Sequence, residues 1–145
     1  MCYAPRHSLW IIQARLQNTE NRLSTAFQKQ NEKIEYFCSA ENVSPNLAVH
    51  EIRKSFKRLR ALLKFFSDYT EDFPTQYKIQ IQDFGHFLSP VRESFINLQI
   101  FERITTGEIL IPERKVKEVK DILAAKNKFL IEEKFLKEKN CLTFQ

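Results

Sequence analysis

Val49-His50-Glu51-Ile52-Arg53-Lys54-Ser55-Phe56-Lys57-Arg58-Leu59-Arg60-Ala61-Leu62-Leu63-Lys64-Phe65-Phe66 is the stretch that decides the fold class. At about 100° per residue, Val49, Ile52, Phe56, Leu59, Leu63 and Phe66 share one arc of roughly 100°. Apolar positions that recur at three and four are the signature of a helix with one buried face. Just upstream, Ser44-Pro45 is a helix-start signal. The serine hydroxyl can cap free N–H groups, and the proline brings a φ already set for the first turn. The helix is expected over Pro45–Ser67.

The same reading extends outward on both sides. Upstream, Leu16, Leu23, Phe27, Ile34 and Phe37 form one seam of a first helix from about Leu9 to Phe37. Ser39–Ser44 is a polar break. Downstream, Asp68–Pro74 interrupts the pattern. Tyr77, Ile81, Phe84, Leu88, Val91, Phe95 and Leu98 then alternate in steps of four and three from a start near Thr75. Pro90 lies inside that seam and has no N–H to continue the ladder. It should kink the helix or split it at Leu88–Ser89; the seam stays in phase across it, which favours one kinked helix. Thr105-Thr106-Gly107 ends this helix, with Gly107 placed like a left-handed C′ residue. Glu108–Ile111 is a short apolar link. A fourth helix opens at Pro112 and runs to about Lys139, with Val116, Val119, Leu123, Leu130 and Phe135 toward the interior. Four helices with short connections predict an all-α, up-down four-helix bundle, a single helical domain over residues 1–145.

Composition agrees. The chain has 145 residues, the size of one ordinary domain. Its only glycines are Gly85 and Gly107. Two isolated glycines build neither a P-loop nor a dinucleotide-binding turn, and they supply too few turns for a β-sandwich or small barrel. Cys2, Cys38 and Cys141 are far apart, so neither a disulfide framework nor a zinc site is expected. A reducing cytoplasm suits them. No leader or membrane anchor is expected. Trp10 and its apolar neighbours Leu9, Ile11 and Ile12 read as a packing plug or a dimer contact.

A second feature of the deciding stretch concerns charge. His50, Arg53, Lys57, Arg60 and Lys64 share an arc of roughly 80° beside the apolar one, spanning about 21 Å of helix axis. Lys54 flanks this stripe and Arg58 lies further round. Asn46–Phe66 contains six Lys/Arg and a single acid, Glu51, whose position points away from the stripe. The segment therefore carries the same net charge, +5, as the whole chain. Ordinary surface helices mix signs to gain pairs at i,i+4. A one-sided cationic row calls for something anionic, either acids from another helix or a ligand.

The spacing of His50, Arg53, Lys57, Arg58, Leu59, Arg60, Leu62 and Phe66 resembles the signature helix of the CHAD (conserved histidine α-helical domain) family. That signature reads in outline His-x-x-Arg, then basic residues, then Leu-Arg and an apolar close. A shorter likeness follows in Leu88-Ser89-Pro90-Val91-Arg92-Glu93, where the family carries Leu-Gly-x-x-Arg-Asp. Arg92 matches. Ser89 stands for the glycine, Glu93 for the aspartate, and Phe95 where a further aspartate is usual. The resemblance implies two four-helix halves, of which this chain resembles the N-terminal one over about residues 10–140. Two copies pairing as a homodimer to rebuild the whole surface, one half sufficing, and loss of the function are alternatives the sequence leaves open.

The resemblance implies binding of inorganic polyphosphate, or another polyanion, without catalysis or cofactor, in the cytoplasm or at polyphosphate granules. The residues suit such a ligand. A linear polyanion with no bases to read needs charge in a row and forked donors. Arg53 and Arg60 can each hold phosphate oxygens through two parallel N–H bonds. Lys54, Lys57, Arg58 and Lys64 add charge, His50 can donate from a ring nitrogen, and Arg92 is expected to complete the groove from the neighbouring helix. A second reading is a histidine phosphotransfer relay through His50. Lys54, however, occupies the position where such domains usually carry a small residue. A third is an RNA- or protein-interaction module. It ranks lower because the phenylalanines fall on the buried seams, whereas RNA binding favours exposed stacking platforms. His7, His50 and His86 have no metal-ligand spacing, and His86 is expected on a wet helix surface near Asp83.

Overall fold

The computed structural model describes residues 6–67, 75–107 and 110–139. Cys2, Cys141, the 68–74 segment, part of the apolar link, and the side chains of His7, Trp10, Leu16, Phe66 and Tyr77 lie outside the described residues. The fold is an all-α helical bundle. Its elements are α1 (Arg6–Ser39), α2 (Pro45–Ser67), α3 (Thr75–Phe87), α4 (Ser89–Thr105) and α5 (Glu113–Ile131), closed by a π-helical turn over Glu132–Leu136. Among the described residues there is no strand, and no helix is long and apolar enough to cross a membrane.

α2 is the central element. Val49, Ile52, Phe56, Leu59 and Leu63 are all buried, and they meet Ile34 and Cys38 of α1, Ile81 of α3, Val91 of α4, Leu88 and Phe135. The helix starts where the serine–proline pair places it. Ser44 Oγ accepts from the Leu47 N–H at 3.3 Å, the third-residue contact of an N-cap. The partly buried Phe27 and Phe37 extend the α1 seam against this core.

Three expectations are corrected. The first concerns the helix expected to run kinked through Pro90. It divides at Leu88 into α3 and α4. Leu88 keeps right-handed helical angles (φ −85°, ψ −8°). The Leu88 N–H still bonds Phe84 O (3.1 Å) and the Arg92 N–H bonds Leu88 O (3.3 Å). The missing Pro90 donor interrupts the ladder without changing the hand of the chain, which is why the apolar seam stays in phase.

The second concerns Gly107, which has no positive φ. α4 ends instead on threonine hydroxyls. Thr105 Oγ1 donates to Phe101 O (2.8 Å) and Thr106 Oγ1 to Glu102 O (2.5 Å), which adds side-chain donors to carbonyls of the last turns.

The third concerns the inner face of α5. Val119 is 42% exposed, whereas the polar Asn127 is buried at that face. Phe135 reaches the core by a further device. Five residues at about 100° each would put it roughly 140° round from Leu130 in a straight α-helix. The π turn adds one residue to that circuit, with the Lys137 N–H bonded to Glu132 O at 3.3 Å. It thereby returns Phe135 to the buried side.

Asn127 carries a buried polar cluster that joins three helices. Its Oδ1 accepts from Asn46 Nδ2 of α2 at 3.0 Å. Its Nδ2 donates to Ser94 Oγ of α4 (2.9 Å) and lies 3.2 Å from Asn46 Oδ1 and 3.4 Å from Val91 O. The Ser94 hydroxyl donates in turn to Val91 O (2.9 Å). Each amide group therefore has partners away from water, as a buried polar group requires.

Candidate functional site

The cationic stripe of α2 faces α3, and the two helices run antiparallel beside it. Arg53 meets the C-terminal end of α3, while Lys64 shares its surroundings with Lys78 near the start of α3. A narrow pocket of about 80 Å³ lies between them, lined by Arg53, Lys57 and Arg60 of α2, Gln82, Gly85 and His86 of α3, and Ser89. Its apolar wall is Phe56 and Ile81. From there an open groove of about 490 Å³ continues along Lys57, Arg60, Ala61 and Lys64, opposite Lys78 and Gln82. Among the described residues, no acid lines either space. Among the described residues no carboxylate lies within ion-pair distance, 4.0 Å, of Lys57, Arg60, Lys64 or Lys78.

Arg53 closes one end. Its Nη1 donates to Gly85 O (2.6 Å) and to Ser89 Oγ (2.5 Å), and Ser89 Oγ donates to the same carbonyl at 3.0 Å. The guanidinium thus crosses from α2 to the break between α3 and α4. Both hydrogens of Nη1 are engaged there. Nε and Nη2 carry three more donors, and among the described residues none of these has a protein acceptor. Burial lowers the pKa of Arg53; Glu93 raises it in part and Arg92 lowers it further. Arginine stays charged at neutral pH under such shifts.

The residues singled out in the sequence separate into two sets. Arg53, Lys57, Arg60 and Lys64 line the pocket and groove. His50 lies beyond the Arg53 crossing and outside both spaces, with its Nε2 3.9 Å from Glu51 Oε1. Lys54 pairs with the same carboxylate at 3.3 Å. Glu51 therefore faces the His50–Lys54 edge of the stripe, contrary to the expectation that it points away. Arg58 is exposed and lines neither space. Arg92 lies over the Phe95 ring, 5.8 Å from its centroid, and does not complete the groove as expected. No family model, curated protein or solved structure matches the chain. The likeness to the CHAD family rests on the residues of α2 and the α3–α4 junction themselves.

The opposite wall is not legible in the sequence. Lys78, Gln82 and His86 recur every four residues on α3 and form a polar row next to the Ile81 seam. That spacing was available as a signal, but nothing in one helix says that its polar row will face another helix's basic row. Among the described residues there is no cluster of His, Cys, Asp or Glu able to hold a metal ion.

Proposed function

We propose that the chain binds inorganic polyphosphate along the groove between α2 and α3. The observation that carries this reading is a row of Arg53, Lys57, Arg60 and Lys64, faced by Lys78, with no acid among the described residues of the lining. Like charges aligned this way repel one another, and a surface of this kind is relieved by an anion laid along it. From Arg53 to Lys64 the row spans about 16 Å of helix axis, suited to successive phosphates of a linear chain. Arg60 offers a planar fork for two phosphate oxygens, and the lysines offer mobile point charges. The CHAD-like spacing on α2 points to the same ligand class. The role proposed is binding, without a chemical step.

The test is a titration of long-chain polyphosphate into the native chain and into a Lys57→Ala/Arg60→Ala/Lys64→Ala variant, at low and high salt. All three side chains are exposed, so the variant is expected to fold. Binding by the native chain should weaken steeply with salt through counterion release. In the variant the slope of log affinity against log salt should shrink by roughly two to three. Equal binding by the two proteins would refute the assignment to this groove.

A further inference from the structure

The pocket and the groove differ in shape, and that difference bears on which part of a polyphosphate chain sits where. This inference rests on the reading just given. The groove is open and about 490 Å³ in volume, whereas the pocket is narrow, about 80 Å³. The Arg53 crossing to Gly85 O and Ser89 Oγ bars the pocket's far side. A chain laid along Lys64, Arg60 and Lys57 cannot continue past that crossing toward His50.

We infer that the pocket is an end site, which takes the terminal phosphoryl group of a linear chain while the groove takes the phosphates behind it. Three features fit a terminal group. Its second ionisation lies near pH 6, so at neutral pH it carries more charge and more free oxygens than an internal phosphate. The pocket answers with a concentration of donors: the free Nε and Nη2 of Arg53, Lys57, Arg60, the Gln82 amide and the His86 ring. Gly85 O, a backbone acceptor at the closed end, is already occupied by two donors and is covered against an incoming anion. The apolar wall of Phe56 and Ile81 limits water on one side and strengthens the charge-assisted bonds. His86 is assigned as a binding residue of this end site; His50, beyond the crossing, is not.

The experiment compares linear tripolyphosphate with cyclic hexametaphosphate on the native chain by calorimetry at neutral pH. The ring carries more total charge but has no end. The end site predicts that the linear ligand binds about tenfold tighter or better, against the order of total charge. His86→Gln, at an exposed position, should weaken the linear ligand severalfold and leave the ring unaffected. Affinity that follows total charge, with the ring equal or superior, overturns the end site and leaves the groove reading standing. Loss of both ligands by the same factor in His86→Gln overturns the role given to that residue. If long-chain polyphosphate itself fails to bind the native chain, the groove reading fails and the end site goes with it.

Discussion

Two polar regions pack against the central helix, and they are finished in opposite ways. On the side of α4 and α5, Asn46, Ser94 and Asn127 are buried or partly buried, and each amide or hydroxyl meets a partner inside the protein. On the side of α3, Lys57, Arg60, Lys64 and Lys78 are exposed and, among the described residues, meet no carboxylate. A saturated cluster fixes how helices sit on one another. An unsaturated row contributes little to the fold, and mutual repulsion makes it a small liability. The two should therefore respond to mutation in opposite ways, one in stability and the other in binding.

The largest expected effect belongs to the groove. The Lys57→Ala/Arg60→Ala/Lys64→Ala variant should lose about a hundredfold in polyphosphate affinity, from three charge-assisted contacts of ~1 kcal/mol or more each. Its denaturation midpoint should stay level or rise slightly. A variant that binds normally but unfolds early would reverse the assignment of the two regions. Next in size is Asn127→Ala, which leaves the Asn46 amide and the Ser94 hydroxyl short of a buried partner. It should cost about 1–3 kcal/mol in denaturant unfolding while leaving groove affinity unchanged. A smaller effect concerns Cys38, buried against α2. Burial, with Glu35 adding to it and Lys139 opposing, raises this thiol from 9.0 to about 11. The folded state holds the proton that the unfolded chain releases first. The contribution is therefore complete below about pH 9 and is lost as pH rises toward about 11. Subtracting the alkaline stability profile of Cys38→Ala from that of the native chain should isolate this decline.

The contrast also explains what could be read in advance. The α2 core positions follow from a strong period of three and four, and the Ser44–Pro45 start follows from local capping chemistry. Both are properties of a continuous segment. Phe135 also belongs to the interior expected from sequence; the five-residue step from Leu130 is the one trace of the π turn that delivers it there, and an out-of-phase step does not by itself say how the helix absorbs it. Asn127 is not legible as an inner position of α5, because an amide there is satisfied only by residues far away in the chain, Asn46 and Ser94. The basic stripe was legible as charge. Its division at Arg53 was not, since it depends on a carbonyl of α3 and a hydroxyl beside Pro90. Lys78, Gln82 and His86 needed the antiparallel placement of α3 before they could be recognised as a wall.

Gly85 gives one of these features a further meaning. It sits inside α3 without a positive φ, and a Cβ built there would meet no atom within 4 Å. Neither backbone geometry nor crowding requires a glycine, and glycine in a helix costs roughly 0.5–1 kcal/mol relative to alanine. Gly85→Ala should therefore stabilise the bundle by about that amount, read as a higher thermal midpoint. Gly85 also lines the pocket, so the same substitution should weaken linear tripolyphosphate more than the ring. The position is then a point where robustness and ligand capacity oppose each other, and the protein keeps a softer helix in exchange for an unfilled space.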